Sequence, residues 1–223
     1  GYLTYANDRN SSDDPDYGKY AEQIDDGFSR VTRQFAAMSD QADTSVATSN
    51  SVNLSDLDSG VYKLRPNATV TITASGDLPV NRSIILLAQE NTVVNVASNV
   101  KIPTTYGSIG DISQVVIAPA TESTEYKLNI NHNVAQVDAW LINPRGTINT
   151  CRTGAAVGDI ENIPRSRGRC DNILTVNGPV SADILMLRRN GGKDQGTDTT
   201  VAQSVPGEVF NLRPDAYIWS ANY

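Results

Sequence analysis

Apolar residues along this chain fall into two textures. Between Tyr17 and Ala42 they recur at Tyr17, Ala21, Ile24, Phe28, Val31, Phe35, Met38 and Ala42, in steps alternating between four and three. That spacing predicts one amphipathic helix with a single narrow seam. Gly27 weakens it locally, and Asp40 to Ser49 is a polar exit. Such a seam serves either as a cap over the open end of a β structure or as a partner for another helix in a coiled coil or stalk. No consistent charge pattern flanks the seam, which favours the cap. After Asn50 the texture changes to short alternating strands, each followed by a turn rich in Asn, Gly or Pro and then by a more continuously apolar strand.

This unit reads as four copies. They are Val70, Ile72 and Val80 with Ile84 to Leu87; Val94, Val96 and Val100 with Val115 to Ile117; Leu128, Ile130 and Val134 with Asp138 to Ile142; and Leu174, Val176 and Val180 with Asp183 to Leu187. The copy starts lie 24, 34 and 46 residues apart. Irregular length with a constant pattern predicts a solenoid carrying insertions between coils. A single coil cannot bury its own inward face, whereas stacked coils share one core of Val, Ile and Leu. Asn at turns such as Asn99 and Asn133 would stack in register and satisfy neighbouring backbone groups. The expected fold is all-β: a single-stranded right-handed parallel β-helix with an N-terminal amphipathic helix as cap. An antiparallel β-sandwich is the alternative. The chain divides into an acidic leader over residues 1–16, the helix over 17–47, and the β-helix with a C-terminal cap over 48–223. In that cap Val209 to Leu212 and Ala216 to Trp219 are expected to cover the last coil, after a hydrophilic loop from Arg188 to about Gln203.

Composition supports this architecture. Of 223 residues 39% are hydrophobic and only 6% aromatic, a balance suited to stacked strands with polar turns. The net charge of −7 resides entirely in residues 1–60, since residues 61–223 are neutral. Phosphate contacts need clustered Lys and Arg, so a nucleic-acid surface is not expected. No apolar run approaches the ~20 residues that span a bilayer. Membrane attachment would require an N-terminal anchor upstream of Gly1, and the chain reads as a processed ectodomain. Cys151 and Cys170, with 18 residues between them, fit one disulfide in an oxidising compartment.

Candidate chemistry is sparse. Asp138 and Asp183 each precede the second strand of adjacent copies, so they are expected one rung apart. So placed, two carboxylates act as acid and base on a glycan, although the same residues also serve as ordinary turn caps. His132 is the one histidine and lies in a turn, so neither a catalytic triad nor a multi-histidine metal site can be assembled. No catalytic residue, cofactor or metal site is assigned. The acidic group Asp8, Asp13, Asp14 and Asp16 lacks the alternation of a calcium loop and reads as a solvated tail. Gly107 to Gly110 and Gly191-Gly192 read as turns. Asn10, Asn53, Asn67 and Asn81 begin Asn-x-Ser/Thr sequons. The candidate partner-binding residues are Arg152, Arg165, Arg167 and Arg169, set against Asp159 and Glu161 between the two cysteines. Closed by a disulfide, they form a tethered basic protrusion suited to an acidic glycan, a teichoic-acid-like polymer or the acidic leader of a neighbouring copy, although the same residues also suit a plain solvated insertion.

Ile130 to Val134, Val137 to Ile142, Gly146 to Cys151, Cys170 with Leu174-Thr-Val-Asn-Gly-Pro-Val180, Leu187-Arg-Arg, and Pro206-Gly-Glu-Val-Phe210 with Arg213 to Tyr217 together carry a resemblance. This run is similar to uncharacterised exported proteins of the Patescibacteria and Saccharibacteria type, whose pattern has a paired-cysteine insertion, an LxVNGxV strand and an AEVF terminal segment. Gly207 stands where Ala is usual in that pattern. The repeats bear a looser similarity to bactofilin coils. The resemblance implies an exported, envelope-anchored or secreted surface protein and brings no active-site residues. The function expected is an extracellular structural or adhesive protein that displays loops to a host surface or envelope glycan or protein, with self-association as a further expectation. The alternatives are a β-helix glycan hydrolase or lyase using Asp138 and Asp183, and a pilin-like appendage subunit using the helix as a stalk.

Overall fold

A computed structural model describes residues 33–103, 112–152, 170, 172–189, 207–211 and 213. Twelve strands are found among them: β1 (Ser51–Asn53), β2 (Gly60–Lys63), β3 (Thr69–Thr73), β4 (Ser83–Ala88), β5 (Val93–Val96), β6 (Gln114–Pro119), β7 (Lys127–Asn131), β8 (Gln136–Val137), β9 (Trp140–Arg152), β10 (Leu174–Asn177), β11 (Val180–Met186) and β12 (Glu208–Asn211). Every strand pair among the described residues is parallel. The chain is therefore all-β in character, and the antiparallel sandwich is ruled out.

The larger sheet runs β1-β3-β5-β7-β9-β6-β4-β2, with β11 also paired to β9; the smaller runs β12-β10-β8. Odd and even strands form two ladders that meet in β9. The start of β9 sets Trp140 and Leu141 beside Val116 and Ile117 of β6, while its end sets Ile148 beside Leu128 of β7. Between these halves the strand turns a tight corner. At Gly146 an added Cβ would lie 2.2 Å from the Tyr126 carbonyl oxygen, so only glycine fits. Asn143 Nδ2 donates to the carbonyls of Tyr126 (3.0 Å) and Thr147 (3.1 Å), and the Tyr126 hydroxyl donates to the Ile142 carbonyl (2.7 Å). Burial holds that phenol's pKa far above its usual value, so it remains a donor. The corner curls the parallel sheet around one core. Val70, Val94, Leu128 and Ile148 stack in register on the odd ladder, and Ile84, Leu86, Val115, Ile117 and Leu141 line the even one, all nearly solvent-free.

Several expectations require correction. The 24- and 34-residue intervals are the true registers of β3 to β5 and β5 to β7, but the next odd-ladder partner of Leu128 lies 20 residues later at Ile148 of β9, not 46 later. Leu174 belongs to the other sheet, where it pairs with Glu208, and Val176 pairs with Val137. A long strand that serves both ladders hid this: the turn residues Asn143-Pro144-Arg145-Gly146 mark its corner, and the pattern of strand starts passed over them. Val80, read as a core position, is 49% exposed.

The helix is also placed differently. Its described part, residues 33–39, brings Phe35, with Met38 and Ala42, onto the outward side of the even ladder against Ile85, Leu87, Val116, Ala118, Trp140 and Ile142. This part flanks the stack and does not cap its end. The end below β1 is covered instead by Val46, Leu57 and buried Leu54 of a one-turn 3-10 helix (Leu54–Asp56), while Asp43 bridges to Tyr62 at the β2 edge. Asn turns do stack: Asn67 and Asn91 adopt positive φ (51° and 55°), and Asn91 Nδ2 donates to Asn67 Oδ1 at 3.2 Å. Asn99 Oδ1 accepts from the amides of Ala135 and Gln136, whereas Asn133 is exposed. The acidic leader, residues 17–32 and 214–223 lie outside the described residues.

Candidate functional site

The place where the described polar chemistry concentrates is the root of the insertion between Cys151 and Cys170. β9 ends on Thr150, Cys151 and Arg152; the first two are buried. Cys151 and Cys170 form a disulfide with Cα atoms 6.0 Å apart. Among the described residues there is no free cysteine. Arg165, Arg167 and Arg169 lie outside the described residues. Arg152 does not: its guanidinium donates to Asn95 Oδ1, so its side chain lies along the odd ladder.

Three further residues tie the root to the stack. The His132 amide donates to the Arg152 carbonyl at 3.0 Å, and His132 Nδ1 lies 3.3 Å from the same oxygen. Arg189, only 7% exposed, donates from Nε to the Thr150 carbonyl (2.7 Å), from Nη1 to those of His132 (2.7 Å) and Asn172 (3.3 Å), and from Nη2 to that of Asn131 (2.8 Å). Burial lowers its pKa to about 10, an effect opposed by the Glu208 carboxylate; the guanidinium stays charged at neutral pH. Glu208 Oε1 accepts from the Thr150 hydroxyl (2.7 Å) and from the amides of Arg188 (2.8 Å) and Arg189 (2.7 Å). A Cβ at Gly207 would fall 2.2 Å from the Arg189 carbonyl oxygen, which explains why glycine rather than alanine precedes Glu208 here.

The two aspartates are not brought together. Val137 pairs with Val176, so the rung neighbour of Asp138 is Asn177, whose Nδ2 donates to Asp138 Oδ1 at 2.6 Å. Asp138 is buried and fully engaged, accepting also from Gln136 Nε2 at both oxygens and from the Ile102 amide at 2.8 Å. Asn211 extends the column, donating to Asn177 Oδ1 at 2.9 Å. Asp183 is exposed and sits at the irregularity in β11, opposite the β9 corner. The carboxylates thus miss the shared-rung geometry that acid and base chemistry would need, and Asp138 does the work of a turn cap. His132 is likewise a turn residue holding backbone.

Sequence reasoning missed Arg189 and Glu208 as organising residues. Both flank a hydrophilic stretch, and a buried Arg that bonds carbonyls has the same one-dimensional appearance as a solvated one. Among the described residues no group of three or more His, Cys, Asp or Glu is arranged to hold a metal, and no helix is long and apolar enough to cross a membrane. Comparisons with protein-family models, with curated proteins and with solved structures each returned no match.

Proposed function

We propose that this chain is a single-stranded right-handed parallel β-helix acting as an extracellular structural or adhesive surface protein. Its disulfide-closed insertion meets an anionic envelope or host-surface glycan or an acidic protein face. The handedness follows from the strong preference of parallel crossovers for one hand. Export is supported by the Cys151–Cys170 bond, because such bonds persist in oxidising compartments.

The observation that carries the reading is the division of labour around that bond. Asp138, His132, Arg189 and Glu208 are engaged in holding backbone, which suits a scaffold better than a reaction centre. The residues enclosed by the disulfide carry Arg152, Arg165, Arg167 and Arg169 against Asp159 and Glu161, a positive excess in an otherwise acidic protein. A scaffold that closes a basic segment with a covalent clasp restricts the ordering entropy lost on binding.

The test uses the full chain on immobilised sulfated or phosphorylated polysaccharide. The wild type is expected to be retained at low salt and released as ionic strength rises, and a triple Arg165→Gln, Arg167→Gln, Arg169→Gln variant is expected to flow through. Equal retention of both proteins, or of neither, overturns the adhesive assignment. Labelling intact producing cells with an impermeant amine reagent tests the location, and labelling only after lysis overturns export.

A further inference from the structure

The insertion has two exits from the stack, Arg152 where it leaves and Cys170 where it returns, and the disulfide is the obvious tie between them. A second tie is built from one side chain. Arg189 bonds the Thr150 carbonyl on the leaving side and the Asn172 carbonyl on the returning side, and its third nitrogen reaches Asn131 on β7 below. His132 completes the frame: its carbonyl accepts from Arg189, and from Asn172 Nδ2 at 3.5 Å, while its amide holds the Arg152 carbonyl. Glu208 of β12 fixes the Arg188–Arg189 backbone against the Thr150 hydroxyl.

We infer that Arg189 is a second, non-covalent clasp that holds both ends of the insertion in place when the disulfide is open, and so keeps the two thiols poised to reclose. The inference goes beyond the proposed surface role and does not need it, since it concerns the thiols and not a ligand. A planar guanidinium with several fixed donors suits this task, because one rigid group satisfies four carbonyls from three chain segments at once. An ammonium could not span them. The outcome is a cystine whose closure is favoured by the fold, with Arg189 as the positioning residue.

The reaction that reads this out is exchange with glutathione. The protein disulfide and two glutathione thiols give the protein dithiol and one glutathione disulfide; two electrons pass to the cystine, and the Cys151 and Cys170 sulfurs each end with a proton. The full-length chain is equilibrated across a series of glutathione redox buffers, trapped with a thiol reagent and weighed. In Arg189→Met the equilibrium constant for reclosure is expected to fall on the order of tenfold or more, and in Arg189→Lys by an intermediate factor. Hydrogen exchange in peptides covering residues 147–152 and 172–177 is expected to rise with the cystine reduced, and to rise further in Arg189→Met.

Ile85→Ala, on the far outward face, controls for loss of stability alone. It is expected to lower the melting temperature and leave the glutathione equilibrium within about twofold of wild type. The inference is overturned if Arg189→Met leaves the equilibrium unchanged, or if Ile85→Ala shifts it as far. Should Arg189→Met fail to fold, Arg189→Lys carries the same comparison, and wild-type reclosure in Arg189→Lys overturns the clasp. Failure of the polysaccharide test would leave these thiol measurements untouched, so the two readings fail separately.

Discussion

The odd and even ladders share one core yet differ on their outward sides. Along the even ladder the outward residues are Val61, Ile85, Leu87, Val116, Ala118, Trp140 and Ile142, which pack beneath Phe35, Met38 and Ala42. Along the odd ladder the outward register columns are Ser51, Thr71, Asn95, Asn129 and Asn149, and beside them Thr69, Val93, Lys127 and Thr147. Inward positions are Val, Ile and Leu in both, with Tyr62 and Ala88 added on the even ladder. A parallel strand covered on both faces reads as a continuous apolar run, and one covered only within reads as alternation. Ile84 to Leu87 and Val115 to Ile117 are therefore continuous because the described helix lies over them, whereas among the described residues the odd ladder's outward face meets polar partners, with Asn129 and Arg152 both on Asn95, and Val70-Thr-Ile72 and Leu128-Asn-Ile130 alternate.

A buried charge should break this comparison most sharply. Leu87 is fully enclosed between sheet and helix, so Leu87→Asp is expected to cost about 4 kcal/mol or more. Thr69→Asp, on an exposed outward position of the odd ladder, should stay within ~0.5 kcal/mol. Urea midpoints of the two variants measure the contrast, and equal losses would mean the ladders do not differ in cover. Next in size is Phe35→Ala, which empties the most buried helix position and should cost about 3 kcal/mol. Trp140 lies in the same cluster at 9% exposure, so its emission should shift to the red in that variant. An unshifted spectrum would count against the helix lying on this face.

Much of this was legible in one dimension. The change of texture after Asn50, the Phe35, Met38 and Ala42 end of the helical seam, the Val70 to Val94 and Val94 to Leu128 registers and the Cys151–Cys170 pairing all follow from residue pattern, because burial imposes period on strands and helices alike. The position of the helix was present in the sequence too. Continuous apolar runs on alternate strands state that something covers them, and a helix with a narrow seam was the available cover. One turn signal was passed over and two things were not legible. β9 bends at Asn143 to Gly146 and serves both ladders, so counting strand starts misassigned Leu174 to the wrong sheet. The Asp138 neighbour depends on a register set by two residues of β8, which no local signal announces. And the burial of Arg189 arises from carbonyls in Asn131, His132, Thr150 and Asn172, which are far apart in sequence and carry no side-chain signature.

The join between the ladders gives a smaller, pH-dependent effect. Tyr126→Phe leaves the Ile142 carbonyl without its hydroxyl donor at the β9 corner and should cost about 1–2 kcal/mol at neutral pH. Burial raises the folded-state pKa above the ordinary 10.0, so the neutral phenol is favoured in the native state. Its contribution is complete below pH 10.0 and declines as pH rises past that value, where the unfolded chain ionises and the folded one does not. Stability followed from about pH 8 to pH 11 should therefore fall less steeply in Tyr126→Phe than in the wild type. Parallel curves would place the phenol in contact with solvent.

The smallest effect tests whether the odd ladder's polar column holds coils together or merely tolerates water. Asn129 Nδ2 donates to Asn95 Oδ1 at 3.0 Å, and both residues are buried although they point outward. Asn129→Ala removes one donor while Arg152 still donates to the same Asn95 oxygen, so that oxygen keeps a partner. The loss should be about 1 kcal/mol, the net worth of a single neutral hydrogen bond. Adding Arg152→Met leaves Asn95 Oδ1 buried with neither of these donors, and the pair should cost more than the sum of its parts by about 0.5 kcal/mol or more. Strict additivity in that double-mutant cycle would show that the two donors act independently.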